Sequence, residues 1–434
     1  SIFLYLDTKS MNEDFLHYVW KYKVFSKIHF KTTNQDDLVI IKSGLHNANA
    51  GPDFLNAHLK IGNQIWIGNV EIHLKSSDWY AHHHEVDKNY DAVLLHVVWE
   101  DDVTIYMKNN KPLPTMVLKE FVSARVLANY QRLFFKSESW IPCQYSINTV
   151  DEFTLSNWKE RLYFERLENK SKVIESLLKQ QNNNFEAVLF QLLVKNFGLK
   201  VNGDSFLVLS QSVNYAVFKS VRSNENNLAA LLFGQAGFLE EDLEEVYYQK
   251  LQKEYMYLKH KYNLQPIANN QFSFFRMRPN NFPTIRLAQL VSLFHKYQSL
   301  FSQLIVLKTL KEFYDFFSLE THVFWKTHYS FTSTSKPAFK KITNSFVDLL
   351  IINTIIPLKF LYQKANGKTV ESSFLTILKK IKPEKNNIIS KFSELKIAAI
   401  NALETQSLLE LKTNYCAPKR CLECAIGKVL LNKS

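Results

Sequence analysis

The sequence contains no apolar run long enough to cross a membrane. The longest run covers residues 349–358, and it is interrupted by Asn353 and preceded by Asp348. A membrane-spanning helix needs about 20 consecutive apolar residues, so we predict that this run is a buried helix. The first residues also lack the charged and apolar regions of a secretory signal. We therefore expect a soluble, cytoplasmic protein with no membrane partner.

Cysteine is scarce, with four residues in a chain of 434. Cys416, Cys421 and Cys424 lie within nine residues near the C-terminal end, and Cys143 is distant in sequence. Such clustering suits a metal site better than a scattered set of disulfides. It also indicates a reducing compartment, in agreement with a cytoplasmic protein.

The composition is that of a folded, basic protein. Hydrophobic residues make up 46% of the chain and aromatic residues 14%, which excludes disorder. The length predicts two or three domains. The formal charge is +12, with 53 Lys and Arg against 41 Asp and Glu. Because a basic chain attracts polyanions, we expect nucleic acid, either DNA or RNA, as a partner.

The N-terminal part shows a helix followed by strands. Residues 11–26 have apolar side chains at helical spacing, and residues 54–61 and 65–74 alternate apolar and polar on either side of Gly62-Asn63. Further strands are predicted at residues 38–42, 92–99 and 103–107. The order up to residue 99 is helix, three strands, short helix and strand, which predicts an α/β domain.

Helical patterns dominate the rest of the chain. They include residues 116–135 and 152–179, and they continue after a polar linker at residues 180–184. We predict an α/β core at residues 11–115, a helical connector carrying Cys143 at residues 116–184, and a helical domain at residues 185–434 that ends in the cysteine cluster. The fold class is an α/β domain followed by a larger all-α region.

Two carboxylates form a candidate metal site. Asp53 precedes one predicted strand and Glu71 lies on the next strand. Since these strands are neighbours, the two carboxylates would lie close together and hold Mg²⁺ or Mn²⁺, with the carbonyl oxygen of Ile72 as a third ligand. The alternative is a solvated hairpin on which Asp53 caps a turn.

This pattern resembles the PD-(D/E)XK nuclease superfamily, in which Pro-Asp is followed by Glu-x-Lys on the next strand. Residues 51–53, Gly-Pro-Asp, and residues 71–73, Glu-Ile-His, match the pattern except that His73 replaces the usual Lys. The resemblance covers residues 11–107. It implies a restriction-endonuclease-like core with a mixed sheet.

The same resemblance implies roles for individual residues. Asp53 and Glu71 would hold Mg²⁺ or Mn²⁺, and Glu13 on the first helix would supply an additional acidic ligand. His73 or Lys75 would position the attacking water and stabilise charge in the transition state. Asp53, Glu71, His73 and Lys75 are thus the expected catalytic residues.

Histidines are concentrated near this motif. His82 and His84 are two residues apart, which suits metal ligation from an extended segment, and Asp87 would orient one of them. This supports a second interpretation, a zinc hydrolase that uses His82, His84 and a carboxylate. Three consecutive histidines also occur as an exposed turn. His96 lies in an apolar strand, either as a core histidine or in the cleft beside Glu71.

Over almost its full length the sequence resembles an uncharacterised bacterial family of unknown function. The resemblance rests on the Gly, Asn and Pro-Asp positions of residues 44–54, on residues 68–98, on the segment Arg278-Pro-x-Asn-Phe-Pro283-x-x-Arg286 and on the cysteine cluster. It implies no activity. We expect that the substrate is contacted by His46, Asn47, His82, His84, His96, Arg278 and Arg286.

Arg278 and Arg286 flank a rigid, Pro-bracketed loop at a predicted helix start. Guanidinium groups bind phosphate in a bidentate manner, so this loop would be able to hold a nucleic-acid backbone. The alternative is that Arg278 or Arg286 is buried against helix carbonyls and stabilises the helical domain.

The cysteines have the spacing Cys416-x₄-Cys421-x₂-Cys424, and Cys143 completes four thiols. Four thiolates hold Zn²⁺ or an iron–sulfur cluster. The spacing is similar to that of plant-type ferredoxins. Some PD-(D/E)XK helicase-nucleases and CRISPR-associated nucleases are similar in having one remote and three clustered cysteines, although there the remote cysteine precedes the nuclease motif. The alternative is unligated thiols.

These observations favour a metal-dependent nuclease or phosphodiesterase that acts on nucleic acid by in-line attack of water. One alternative is a non-catalytic nucleic-acid-binding or scaffold protein with a degenerate nuclease-like core. The other is the zinc hydrolase that uses His82 and His84.

Overall fold

The computed structural model describes residues 11–47, 49–134, 139–367 and 373–433. The chain divides into two compact units. The first comprises Ser1–Trp158, Glu394–Ile397 and Leu411–Ser434, and the second comprises Lys159–Ser393 and Ala398–Glu410. The C-terminal end of the chain therefore belongs to the same unit as the N-terminal part.

A mixed sheet of seven strands forms the centre of the first unit. The strands are β1 (Phe30–Lys31), β2 (Asp37–Lys42), β3 (Leu45–His46), β4 (Phe54–Ile61), β5 (Gln64–Lys75), β6 (Val93–Glu100) and β7 (Thr115–Val117). Their order is β1, β2, β4, β5, β6, β7, and β3 pairs with β4. The pairs up to β5 are antiparallel, whereas β5–β6 and β6–β7 are parallel. The predicted α/β domain with a mixed sheet is confirmed.

The described α-helices are α1 (Glu13–Tyr22), α2 (Asp78–Ala81), α3 (Ala124–Phe134), α4 (Glu152–Gln180), α5 (Phe185–Phe197), α6 (Leu199–Gln211), α7 (Tyr215–Val221), α8 (Glu225–Gln235), α9 (Val246–Tyr262), α10 (Pro283–Lys296), α11 (Leu300–Ile305), α12 (Leu310–Phe316), α13 (Asn344–Leu350), α14 (Ile356–Ala365), α15 (Ser373–Lys380), α16 (Asn387–Glu394), α17 (Ala402–Glu410) and α18 (Ala425–Asn432). Most of them follow the sheet in sequence, so the predicted larger helical region is also confirmed.

The hairpin of β4 and β5 places the candidate carboxylates. Gly62 has a positive φ of 58° in the turn between the two strands, a conformation that glycine adopts without strain. In β4, Phe54, Ala57 and Leu59 are buried; an irregularity between Phe54 and Ala57, where Asn56 has a positive φ of 54°, shifts the alternation by one residue. In β5, residues Val70 to His73 are buried on both sides, because β5 is a central strand and α1 packs against it.

The predicted strand at residues 103–107 is wrong. Among these residues, Tyr106 forms an isolated bridge with Pro112. The next strand is β7, at a position where the sequence pattern predicted the start of a helix. A strand that pairs in parallel with β6 must run in the same direction as β6, so the chain first has to turn back from the C-terminal end of β6. Residues 101–114 make this return, and Asp102 anchors its start by accepting hydrogen bonds from the Ser76 and Ser77 side chains.

The second unit is built around an apolar core formed by helices. The segment Asn344–Ala365 is long and apolar enough to cross a membrane by length and composition, but 72% of its most apolar window is buried within the protein. A π-helical turn, Ile351–Ile355, connects α13 to α14 inside it. The prediction of a buried helix at residues 349–358 is confirmed. The cytoplasmic location stays a prediction.

Candidate functional site

Glu71 and His73 are two buried polar side chains on the same face of β5. Their exposed fractions are 5% and 2%. Alternation along a strand puts residues 71 and 73 on one side of the sheet. Buried groups of this kind need partners, and the partners here come from the N-terminal end of β4, the turn after α2, and β6.

Asp53 is tied to Glu71 by the backbone. The Ile72 N–H donates to Asp53 Oδ2 at 2.9 Å, and the Asp53 N–H donates to Glu71 Oε2 at 3.1 Å. The carboxylate of Asp53 thus accepts a hydrogen bond from the residue after Glu71, and the carboxylate of Glu71 accepts one from the backbone of Asp53. The loop before Asp53 is held by Asn47, whose side-chain amide donates to Pro52 O at 3.1 Å and whose N–H donates to Asp53 O at 2.7 Å. Asn47 therefore positions Asp53.

The turn after α2 directs two histidines to the same place. His83 has a left-handed φ of 61° and its side chain is 80% exposed. The residues on either side of it turn inward, so that His82 Nδ1 lies 3.2 Å from His73 Nε2 and His84 Nε2 lies 3.3 Å from Glu71 Oε1. His84 is buried and stacks on Tyr90.

The ligand atoms of His73, His82 and His84 all lie within 4.8 Å of one another. Glu71 Oε1 adds an oxygen 3.4 Å from His73 Nε2 and 3.3 Å from His84 Nε2. Tetrahedral coordination with bonds of about 2.0–2.1 Å separates ligand atoms by about 3.3–3.4 Å. The two distances to Glu71 Oε1 match this separation, and the three imidazoles lie close enough to share one metal ion.

His96 orients His73. It lies opposite Glu71 on the neighbouring strand β6, and His96 Nε2 is 2.8 Å from His73 Nδ1. If His73 Nδ1 carries the proton and donates it to His96, the lone pair of His73 Nε2 faces the ligand group. Burial, followed by neighbouring histidines, lowers the pKa of His73 to about 2, and burial lowers the pKa of His96 to about 3. Both rings are therefore neutral.

A group of acids lies beside the histidines. Burial, followed by the charge of Asp53, raises the pKa of Glu71 to about 9. Burial and then Asp53 also raise the pKa of Glu13, which places Glu13 near Asp53 as the sequence resemblance implied. In the described part of the chain, the ion-pair partners of Asp53 and Glu71 are histidines. Neutral imidazoles offer lone pairs, and the neighbouring acids offer negative charge, so this combination of side chains suits the binding of a cation.

His17 belongs to this site and was missed by the sequence reasoning. His17 Nε2 lies 3.1 Å from Asp53 Oδ2. It follows Glu13 by four residues, so both side chains lie on the same face of α1. This i, i+4 spacing of an acid and a histidine was the signal available in the sequence. His46, from β3, packs its ring edge-on against His17 with centroids 5.6 Å apart.

Three predicted residues lie elsewhere. Lys75 is exposed at the end of β5, and no hydrogen bond or ion pair joins its ammonium group to a described residue of the site. Arg278 is exposed in the second unit. Arg286, in the same unit, is buried, donates to Gln289 and Asn281, and stacks on Phe346 at 3.7 Å. Arg286 is thus buried in the helical unit, as the structural alternative expected, but its partners are side-chain amide oxygens and not helix carbonyls.

The four cysteines come together within the first unit. Cys143, Cys416, Cys421 and Cys424 are buried and free of disulfides, and all four line one cavity. Unlike the histidines, their sulfur atoms are not among the described groups of three ligand atoms within 4.8 Å.

A pocket opens beside the histidine group. It has a volume of about 280 Å³ and extends from His84 along Trp79, Tyr90, Tyr106 and Lys108. Three of its walls are aromatic and one edge carries the Lys108–Asp91 ion pair. The pocket is therefore large enough to receive a planar group next to the site.

Comparison with known proteins identifies the family. The chain belongs to the family described as "Protein of unknown function (DUF2851)", whose sequence model matches residues 13–387. The predicted membership of an uncharacterised family is confirmed over nearly the full length. No curated protein and no solved structure matches the chain.

Proposed function

We propose that this member of a family of unknown function is a metal-dependent phosphodiesterase that hydrolyses nucleic acid. The observation that carries the proposal is the convergence of His73, His82 and His84 with Glu71 at metal-ligand spacing. The nuclease and the zinc-hydrolase interpretations of the sequence thereby meet at one site.

The proposed ligands are the three imidazoles and Glu71. The side chain of His82 is exposed, so a substrate oxygen can approach this side of the group. Three histidines and a carboxylate suit Zn²⁺, Mn²⁺ or another first-row metal better than Mg²⁺, which prefers oxygen ligands. A cation held there with a further coordination position open on the His82 side would acidify water bound at that position and polarise the phosphodiester group.

Asp53 and His17 are the proposed proton acceptors. Asp53 Oδ2 is occupied by the Ile72 N–H and faces His17 Nε2 at 3.1 Å. A carboxylate–imidazole pair beside the ligand group is suited to take the proton of the attacking water. His73 is less suited to this role, because one of its ring nitrogens faces His96 and the other faces the ligand group.

Three observations support nucleic acid as the substrate. The chain carries a formal charge of +12. A helix, α1, precedes the strands β1 to β5, and α2 and then β6 follow them, an order compatible with the helix, strands, helix and strand of the nuclease-like core. The pocket beside His84 is lined by the exposed Tyr106, and aromatic rings stack on nucleobases.

The test is cleavage of labelled single-stranded DNA, duplex DNA and RNA in the presence of Mn²⁺, Zn²⁺ or Mg²⁺. We expect cleavage by the wild type and a loss of at least about 100-fold in His82→Ala, His84→Ala and Asp53→Asn. The matched control is His83→Ala, which lies between the two ligands in sequence but points to solvent, and which should retain activity.

Metal content provides the second measurement. Elemental analysis should find about one transition-metal ion at this site per chain, lost in His82→Ala and His84→Ala but kept in His83→Ala. Binding of nucleic acid without cleavage under any of the metals would overturn the catalytic proposal in favour of the non-catalytic alternative. Cleavage that is unchanged in all three site variants would also overturn it.

A further inference from the structure

A second group of candidate ligands, separate from the histidines, consists of the four cysteines, all of which belong to the first unit. Cys143 comes from the loop after α3, and Cys416, Cys421 and Cys424 come from the segment before α18. Their exposed fractions are 8%, 8%, 7% and 6%. They line a cavity of about 10 Å³, which is about the size that holds one water molecule and excludes an organic ligand.

The backbone around each cysteine is shaped to bring the thiols inward. The Cys143 carbonyl accepts N–H groups from Ser146 at 3.0 Å and Ile147 at 2.8 Å, which closes a tight turn. Cys416 ends a π-helical turn, Leu411–Cys416. Cys424 is the N-cap of α18, where the helix dipole favours a thiolate.

Gly427 makes the close approach of Cys421 to α18 feasible. A Cβ atom at Gly427 would lie 2.0 Å from Cys421 O, so any side chain would displace the turn that carries Cys421. Gly427 follows Cys424 by three residues, within the first turn of α18. Gly427 therefore allows the turn that carries Cys421 to pack directly against the first turn of α18, close to Cys424.

Burial in the cavity favours the neutral thiol at all four cysteines. Burial raises the pKa of each thiol, and the thiols raise one another's pKa further at Cys143, Cys416 and Cys421. At Cys424, N–H groups of Gly427, Ile426 and the Trp158 indole act in the opposite direction and favour the thiolate. N–H donors beside the buried sulfur of Cys424 would stabilise it as a thiolate, the form in which cysteine binds a metal.

We propose that Cys143, Cys416, Cys421 and Cys424 together bind one thiophilic metal centre, either a Zn²⁺ ion or an iron–sulfur cluster. On binding, each thiol loses its proton to solvent and forms one metal–sulfur bond. A single Zn²⁺ with bonds of about 2.3 Å would draw the sulfur atoms together, whereas a cluster fits a wider spacing. The site shares no residue with the histidine group.

The position of the centre gives it a structural role. It joins the C-terminal segment that starts at Leu411 to the part of the first unit that ends at Trp158, and most of the residues between them form the second unit. α18 already packs against α3, where Asn129 donates to Leu431 O at 3.1 Å. Metal bonds between segments so far apart in sequence constrain the unfolded chain strongly.

The test uses the fact that the chain has four cysteines in all. The full-length protein is purified without oxygen, and its zinc, iron, acid-labile sulfide and visible absorbance are measured. Because the histidine group can also hold zinc, the same analysis is made on His82→Ala, in which we expect either about one zinc per chain without visible absorbance, or iron with sulfide and a visible absorption band. Either result supports the proposal and identifies the metal.

Native alkylation followed by mass spectrometry tests the ligands without any mutation. All four thiols should be protected in the metal-bound protein and become reactive after chelation or oxidative loss of the cluster. Hydrogen exchange should then increase at residues 411–433, while α5 to α8 of the second unit keep their protection.

Variants separate this site from the histidine group. Cys421→Ser and Cys143→Ser should lose the zinc or iron–sulfur signal, and His82→Ala should keep it. If the purified protein holds neither metal, and if neither Zn²⁺ nor reconstitution with iron and sulfide protects the thiols, the proposal is overturned. Retention of the metal signal in both cysteine variants would overturn it as well.

Discussion

His73 and His96 face each other across the parallel strands β5 and β6, with His73 Nδ1 2.8 Å from His96 Nε2. The contact holds the ring of His73 so that its other nitrogen points at His82 and Glu71. A fully buried histidine on one strand thereby orients a proposed metal ligand on the next.

Replacement of His96 should weaken metal binding without removing a ligand. We expect His96→Phe to lower the affinity of the histidine group for Zn²⁺ by about 10- to 100-fold, because His73 loses the partner that orients it. Competition with a chelator measures the affinity. His96→Gln, which keeps an acceptor, should recover part of the loss. An unchanged affinity in His96→Phe would contradict the proposed orientation.

The contribution of Glu71 to the stability of the first unit should fall as the pH of the metal-free protein rises from 7 to 9. The folded protein holds a proton on Glu71, whose pKa is raised to about 9 by burial and by Asp53, whereas an unfolded Glu has its proton removed near pH 4.5. The folded state therefore binds more protons in this window, and the free energy of unfolding decreases by up to about 1.4 kcal/mol per pH unit.

Denaturant unfolding at several pH values measures this slope. Glu13, Asp53, His73 and His84 face the same carboxyl group, so the comparison must isolate Glu71. Glu71→Gln should have a smaller slope than the wild type in the absence of metal. Saturating Zn²⁺ should also reduce the slope of the wild type, because a cation replaces the proton. Identical slopes in wild type and Glu71→Gln would refute the assignment.

The helical unit should show the opposite dependence on pH at Lys170. This half-buried side chain donates to Asn353 at 2.9 Å and to Gln406 at 3.0 Å. Burial, and then Arg166, lower the pKa of Lys170 to about 7, against the contributions of Glu384 and Glu410. Because the unfolded state binds the proton up to about pH 10.5, stability should increase as the pH rises from 7 towards 10.

Lys170→Met should remove this increase. The matched control is Lys172→Met, which changes an exposed lysine on the same helix and should keep the slope of the wild type. The slope is again measured by denaturant unfolding. Equal slopes in Lys170→Met and in the wild type would show that Lys170 keeps its proton in the folded protein over this pH range.

Gly427→Ala should disrupt the proposed cysteine site, since the added Cβ atom would meet Cys421 O at 2.0 Å. We expect loss of the thiol-bound metal signal and a destabilisation of several kcal/mol, in the range of about 2–5 kcal/mol for strained or lost metal sites. The control is Gly203→Ala in α6, where the nearest atom is an ordinary 3.5 Å away. That substitution should be neutral or stabilising by up to about 1 kcal/mol. Full metal content in Gly427→Ala would contradict the role of this close approach.

Exposed Tyr106 in the pocket beside His84 offers a test of substrate contact. Tyr106→Ala should raise KM for nucleic acid and leave kcat within about twofold, because a stacked base contributes about 1–3 kcal/mol to binding. Trp66→Ala, which removes an exposed aromatic ring from the hairpin end of β5, is the control and should leave KM unchanged. A lower kcat with unchanged KM would place Tyr106 in the chemistry instead.

Local patterns allowed the hairpin and the first helix to be predicted from sequence. β4 begins and ends at the predicted residues, and β5 differs by one residue at each end, because strand alternation and the turn at Gly62 are properties of adjacent residues. Asp53 and Glu71 follow from the same hairpin. β7 was missed because its pairing with β6 is parallel, and only the completed sheet shows where the returning chain can join it.

The sequence also identified the residue types of both candidate sites, since histidines and cysteines at short spacings imply ligands without reference to a fold. Tertiary structure decided which of them meet. His17 reaches Asp53 only because α1 packs on β5, and His73 joins His82 and His84 only because the turn at His83 reverses the chain. Contacts between distant segments depend on how helices and strands pack, and a local sequence pattern carries no direct record of that packing.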